Sequence, residues 1–412
     1  MESYLADTHA AQCGATQFVG VAELHGRLDE SSARAALRDL VRRHPLLRTE
    51  LRHEDGRWWY VPVERDPLDP ASNLPLTVSS IVDQSWGDVA GSRVNRPLAE
   101  PRSLWEVTLL IDPAGKNSAL VFAAHHAITD GISLLALAGQ FVSAHNQAFT
   151  GQRLDRPVFP RRGPIESLLA SGGRGTPAPG ATAEPVAPGW AAEQAAPVER
   201  RSVRTHWHAL DAKQTAALLS HCRSAGTTVN SVLVVALAVA AQELPTSEDR
   251  MCCVIPISVR DQADSTITAD ENGCFATDLS LTLGPTDRIG VRWERAGRIQ
   301  ARFLRLRAAA LAAPTDFLNW PSNDQSAGPS FQRGCQVTNL GRGRPPSDGG
   351  PLRLASFRFV VSPRHGVYAF SLSSATVSGR MVLGVSSVDP LISAESAAAV
   401  TAAFTAELTR SR

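Results

Sequence analysis

At 412 residues the chain exceeds the size at which one hydrophobic core keeps growing, so two domains of about 150 to 200 residues are expected. With 43% hydrophobic and 20% charged residues and a formal net charge of +1, it has no global field of the kind that marks nucleic-acid or membrane-surface binders. Its longest apolar run, 231–241, is too short to span a bilayer.

In chain order, the first predicted helix covers 31–43, with Ala33, Leu37, Leu40 and Val41 on one stripe, Ser31 or Ser32 as cap and Pro45 as stop. The run Arg57-Trp58-Trp59-Tyr60-Val61 reads as a strand. Two more strands, 107–111 and 119–125, flank the turn-rich segment 112–117, and 132–147 carries helical spacing at Leu134, Leu137 and Phe141. From about 151 to 201 the chain turns rich in Pro, Gly and Ala and is expected to cross the surface as a linker. Beyond it, 206–210 reads as a strand, 211–223 as a helix, and a second helix capped by Thr227 or Thr228 runs to about 243. Strands are predicted at 252–257, 279–283, 357–361, 367–373 and 381–386. Strands alternating with amphipathic helices in both halves argue for α/β sandwiches that face each other.

The six cysteines, Cys13, Cys222, Cys252, Cys253, Cys274 and Cys335, are scattered without a C-x-x-C pair, and the chain starts Met-Glu-Ser-Tyr without a basic-then-apolar leader. Free thiols in a reducing, cytoplasmic setting are expected.

The stretch that carries chemistry is Ala123-Ala124-His125-His126-Ala127-Ile128-Thr129-Asp130-Gly131. It sets two imidazoles at the end of an apolar strand, with a carboxylate and a glycine behind them. Strand side chains alternate between faces, so one histidine is read as a base aimed at a cavity and the other as its support. A carboxylate buried at Asp130 requires a cationic partner, which makes it a brace rather than a second proton shuttle. A metal site is disfavoured, since adjacent histidines rarely chelate together and no further ligand cluster follows.

This segment resembles the HHxxxDG motif of the chloramphenicol acetyltransferase-like superfamily, especially condensation domains and free-standing polyketide-associated acyltransferases. Other motifs follow in the same order. Arg43-His44-Pro45-Leu46-Leu47-Arg48-Thr49 is similar to the R-H-x-x-L-R-T element, and Val94-Asn95-Arg96-Pro97-Leu98 with Ser103-Leu104-Trp105 to the element before the HHxxxDG strand. Pro256-Ile257-Ser258-Val259-Arg260 is similar to P-V-S-x-R, Gly273-Cys274-Phe275-Ala276-Thr277 to G-x-F-x-T, and Thr338-Asn339-Leu340-Gly341-Arg342 to the S/T-N-L-G-R loop. The S-x-A-Q-x-R element of modular condensation domains and the D-F-G-W-G of plant acyltransferases are not recognisable, and no adenylation or carrier domain is attached, which favours a free-standing enzyme.

The resemblance implies two acetyltransferase-like α/β sandwich subdomains in a V-shaped pseudo-dimer with an active-site tunnel between them, over 1–165 and 201–412, joined by a linker at 166–200. His126 would be the general base, Asp130 would pair with Arg260, and Gly131 would keep the acceptor's approach clear. Thr338 and Asn339 could donate hydrogen bonds to an oxyanion; His125, Arg43, Arg48 and Asn95 would be architectural. The implied reaction moves an acyl group from a coenzyme A or carrier-protein thioester to an alcohol or amine, with no bound cofactor or metal, by a monomer that meets a carrier protein and a small-molecule acceptor. A cyclase or dehydratase on the same scaffold, or a silent carrier-binding module, are the alternatives. Separately, Arg295, Arg298, Arg302 and Arg305 recur on one helix face, either solvated or as a dock for an anionic donor.

Overall fold

Both halves of the computed structural model combine strands and helices; it describes residues 5, 6, 9, 14–63, 74–98, 103–171, 189–312, 330, 331, 333–344 and 349–410. The first half runs β1 (Phe18–Gly26), helix Glu30–Arg43, β2 (Thr49–Glu54), β3 (Arg57–Pro62), β4 (Leu76–Ser80), helix Trp86–Asn95, β5 (Trp105–Ile111), β6 (Asn117–Ala124) and helix Gly131–Phe149. The second runs β7 (Trp190–Ala191), β8 (Ser202–Leu210), helices Ala212–Ser224 and Val229–Ala240, β9 (Met251–Ser258), β10 (Ala276–Leu283), helix Arg292–Ala312, β11 (Ser330–Phe331), β12 (Arg333–Arg342), β13 (Leu352–Val361), β14 (Tyr368–Val377), β15 (Arg380–Asp389) and helix Ala394–Thr409.

β6 lies at the centre of a five-stranded sheet ordered β13-β1-β6-β5-β4 and is antiparallel to both neighbours. Its apolar run is buried on both faces. Leu120, Phe122 and Ala124 pack with Leu37, Leu40, Leu134 and Phe141 of helices Glu30–Arg43 and Gly131–Phe149, while Ala119, Val121 and Ala123 meet Val89, Ala90 and Val94 of helix Trp86–Asn95. That double burial is why the sequence shows a continuous run rather than alternation. The first helix starts one residue earlier than predicted, and Asp29 rather than Ser31 or Ser32 is its cap, accepting from the Ser32 N–H at 2.8 Å. His44 caps its other end, ahead of Pro45.

The second sheet is six-stranded, ordered β10-β9-β12-β14-β15-β8. One face packs Val337, Phe370, Leu372 and Leu383 against helices Val229–Ala240 and Ala394–Thr409. The helix Val229–Ala240, capped by Thr228, is buried nearly all round and not only on the predicted side. No single described helix is long and apolar enough to cross a membrane.

The compositional boundary does not separate the two sheets. β13, well past that boundary, pairs antiparallel with β1 from Phe18↔Val361 to Gly26↔Leu352, and Leu352, Leu354, Phe357 and Phe359 complete the first half's core. Asn95 ties the halves again, accepting from the Val203 N–H at 2.6 Å and donating to its carbonyl at 3.0 Å. Within the expected linker, Ile165–Ser171 is a helix whose Ile165 and Leu169 pack on Val259, Ala263 and Phe275; residues 172–188 and Cys13 lie outside the described residues. The segment Thr338-Asn339-Leu340-Gly341-Arg342 closes β12 rather than forming a loop, because Val337 and its neighbours are needed in the sheet. The five described cysteines are buried free thiols, and burial pushes Cys222 up to about 11.

Candidate active site

β6 ends at Ala124, one residue before the histidine pair, so strand alternation is not what separates the two rings. A single turn of 3-10 helix does so. His125 caps that turn, its Nδ1 accepting from the Ala127 N–H at 3.0 Å, and its ring is fully buried, tilted against His9 at 4.4 Å between centroids. His126 opens the turn and faces a cavity of about 1200 Å³, counting its open mouth.

His126 Nδ1 lies 3.0 Å from the Thr129 carbonyl oxygen, which can only accept. The proton therefore sits on Nδ1, and Nε2 carries the lone pair. Burial lowers the pKa of His126 below the usual imidazole value, against an opposing pull from Asp130 and backbone contacts. The ring is neutral at pH 7. Phe18 stands edge-on at 4.5 Å, and Cys274 Sγ lies 3.6 Å from Nδ1.

Asp130 caps helix Gly131–Phe149, accepting from the Ser133 N–H at 2.8 Å. Arg260 meets it bidentately, Nη1 to Oδ2 at 2.8 Å and Nη2 to Oδ1 at 3.0 Å, with both side chains buried. The Phe275 N–H adds a bond of 3.0 Å to Oδ2, the Phe275 ring lies 4.8 Å under the guanidinium, and Arg260 also donates to Ser133 Oγ at 2.8 Å. Burial alone would raise the Asp130 pKa; the Arg260 charge and these hydrogen bonds outweigh it and hold the carboxyl below its usual range. Asn272 and Gln140 fasten the same second-half loop to the first half, Asn272 Nδ2 to the Ile128 carbonyl at 2.9 Å and Gln140 Nε2 to the Asp270 carbonyl at 2.8 Å.

The room that Gly131 leaves is filled by Leu340 rather than kept open for an approaching molecule: a Cβ there would lie 2.5 Å from Leu340 Cδ2. Gly131→Ala should lose about 1–3 kcal/mol of stability by overpacking. Adding Leu340→Ala should return most of it; urea unfolding of the two variants checks this.

The remaining expected residues divide. Thr338 and Asn339 line the cavity, and Asn339 Oδ1 accepts from the Gly341 N–H at 3.0 Å. Arg43 donates to Gln140 Oε1 at 2.6 Å and to the Pro157 carbonyl at 3.2 Å, a bracing contact. The arginine row is not a free cationic face. Arg295 is buried against Glu407, Arg302 pairs with Asp287 at 3.0 Å and Arg298 donates to the Thr286 and Ile289 carbonyls, whereas Arg305 is exposed and makes no such bond among the described residues. Expected to be either a solvated face or a dock for an anionic donor, the row instead ties its helix to neighbouring elements through three of its four members. Residues not assigned a role at the site from sequence complete it: Phe18, Cys274 as a neighbour of the base, and Tyr60, whose hydroxyl donates to the Ala127 carbonyl at 2.7 Å. The run Trp58-Trp59-Tyr60 signalled only a strand.

The cavity opens between the two sheets, with Phe18 and Val361 on one wall and Ser258, Asp278, Gln336 and Thr338 on the other. Among the described residues no group of three or more His, Cys, Asp or Glu is placed to hold a metal.

Residues 17–161 match the family model of the condensation domain, and residues 199–394 that of the phthiocerol/phthiodiolone dimycocerosyl transferase C-terminus. A Salinispora arenicola protein described as a probable nonribosomal peptide synthetase, CymA, is 30% identical over 137 residues, which is 33% of this chain and only 2% of that much longer protein. The chain thus spans a small fraction of that relative. Among solved structures, polyketide synthase associated protein 5 from Mycobacterium tuberculosis superimposes with a TM-score of 0.68 at 19% identity, covering 99% of this chain and 96% of that one. The first condensation domain of the calcium-dependent antibiotic synthetase, in complex with a substrate analogue, gives 0.73 at 16% identity, covering 98% and 93%. A trichothecene 15-O-acetyltransferase from Fusarium sporotrichioides gives 0.68 at 14% identity, covering 99% and 93%. At such identities the structures bear on the fold alone.

Proposed function

Because the chain belongs to the chloramphenicol acetyltransferase-like superfamily, matching condensation domains in its first half and PapA-type acyltransferases in its second, we propose that it transfers an acyl group from a thioester to an alcohol or amine, with His126 as general base. The thioester would be carried by coenzyme A or by the phosphopantetheinyl arm of a carrier protein, in the biosynthesis of a specialised metabolite or complex lipid. The observation that carries the reading is the Thr129 carbonyl at 3.0 Å from His126 Nδ1, which leaves Nε2 as an acceptor at a cavity shared by both halves.

In this reading His126 Nε2 takes the proton of the acceptor O–H or N–H as the acceptor attacks the thioester carbonyl. The tetrahedral intermediate collapses with cleavage of the C–S bond, and the departing thiolate takes the proton back from Nε2. Thr338 and Asn339 would donate toward the oxygen that gains charge. Asp130 and Arg260 neither gain nor lose a proton. They hold the turn that presents the base.

Turnover should release free thiol in step with ester or amide formation, read with a thiol reagent and by product mass over a panel of acyl thioesters and acceptors. Binding of acylated carrier protein without thiol release from any pair would count instead for a module that binds but does not transfer. The pH profile follows from the base's environment. His126 works neutral and its pKa is lowered by burial, so the ascending limb of kcat/KM should be centred below the ordinary imidazole value of about 6.5. An ascending limb centred at or above that value would contradict the assignment.

A further inference from the structure

Strand alternation decides which side chains the second sheet turns toward the cavity. On β10, Leu279 packs with Ala310 of helix Arg292–Ala312 and Leu281 joins the core behind the sheet. Ala276 and Asp278, interleaved with them, face the other way and line the cavity. The register with β9 sets Ala276 beside Ser258 and Asp278 beside Pro256, and both β9 residues line the cavity as well. Ser258 Oγ lies 3.4 Å from Arg260 Nη1, the group that grips Asp130. The Ala276–Ser258 row therefore adjoins the brace behind the base. Asp278 stands in the next row, about 7 Å farther along its strand.

The charges of the lining have one sign. Asp130 is balanced by Arg260, and the two imidazoles are neutral near pH 7: burial lowers His126, and burial reinforced by the Arg201 charge takes His365 to about 3. Among the described residues that line the cavity there is no lysine or arginine, and its other polar groups are hydroxyls and amides. An anionic group drawn in would give up water and meet no cation in exchange. An ammonium would find a charge-assisted acceptor at Asp278. A carboxylate offers about four lone-pair sites, so Asp278 can accept from a neighbouring side chain and from a bound molecule at once.

We propose that Asp278 selects substrates that carry a cationic amino group, holding it by a charge-assisted hydrogen bond while a different group of the same molecule meets His126. The inference rests on the acyl-transfer reading for what enters the cavity. The held amine and the acylated group are distinct, because an ammonium has no lone pair with which to attack.

The probes are hexylamine, 1-hexanol and hexanoate, which share one chain and differ in the charge of the end group, with binding to the full chain followed by ligand-detected NMR so that turnover is not needed. The wild type should bind the amine about tenfold or more tighter than the alcohol, as expected for a hydrogen bond to a charged group, and the carboxylate most weakly. Asp278→Asn keeps the size and one acceptor oxygen but removes the charge; it should bring amine and alcohol to near parity and relieve the penalty on the carboxylate. Asp278→Glu should restore the order. Alcohol affinity, unchanged in both variants, reports an intact cavity. Equal binding of amine and alcohol by the wild type, or an amine preference that Asp278→Asn leaves in place, overturns the proposal. A preference that Asp278→Asn abolishes in a protein that never releases thiol would sink the transfer reading and leave the charge selection standing.

Discussion

His126→Ala should lower thiol release by roughly 10²- to 10⁴-fold, the range that a positioned general base contributes, while leaving the unfolding midpoint close to that of the wild type. The two halves of that expectation come from different contacts. The ring's link to the Thr129 carbonyl and its packing on Phe18 are local, and the 3-10 turn is also held by the His125 ring and by the bonds that reach Ala127 and Ile128 from Tyr60 and Asn272. Removing the imidazole therefore empties the base position without releasing the turn. Single-turnover kinetics with a chosen acyl thioester and acceptor, alongside thermal unfolding, tests both halves. Full turnover in the variant would end the general-base assignment, and a collapse of stability would show that the ring is a structural part.

Arg260→Met should have the larger effect on the fold, a loss of about 3–5 kcal/mol, because it strands the buried Asp130 carboxylate. Asp130→Asn in the same chain should recover part of that loss, since the variant pair no longer buries an uncompensated charge; the coupling is read from a double-mutant cycle in urea. The same pair predicts acid sensitivity with a definite sign. Asp130 is depressed in the folded state, so its contribution is complete above the unfolded carboxyl value of about 3.9 and is lost as pH falls through the lower folded value. Asp130→Asn should flatten that part of the stability curve. Activity should fall with Arg260→Met as well, since Ser133 and the Phe275 N–H converge on the same carboxylate and fix the start of the helix behind the base.

Legibility from sequence followed the distance over which each residue finds its partner. The base and its brace sit within six residues, and their order alone carried the chemistry. The Asp130–Arg260 pair spans 130 positions and became readable only through the resemblance, because no periodicity reports which guanidinium will reach a buried carboxylate. Cys274, Tyr60 and Phe18 reach the histidine turn through tertiary packing, and nothing in their local sequence announces it. The arginine helix was placed correctly by its period, yet its face was misread: Arg295 meets Glu407 of the last helix, a partner 112 residues away. No strand was predicted over β12, whose end carries the turn-forming Asn339 and Gly341; there sheet pairing overrode local preference.

The strand β13 has a consequence for how the protein comes into being. During synthesis β1 emerges early and finds β6 on one side, but its other edge stays open until residues 352–361 have left the ribosome. For most of translation the nascent chain thus exposes an unsatisfied strand edge, together with the apolar surface that Phe357 and Phe359 later cover. A separately expressed first half is expected to aggregate, and one supplied with a peptide of residues 352–361 to be rescued into solution. The order of events completes the histidine site late: the short helix that Arg260 opens is made before the strand that closes the sheet beside β1, so the site is assembled only after residues 352–361 are present.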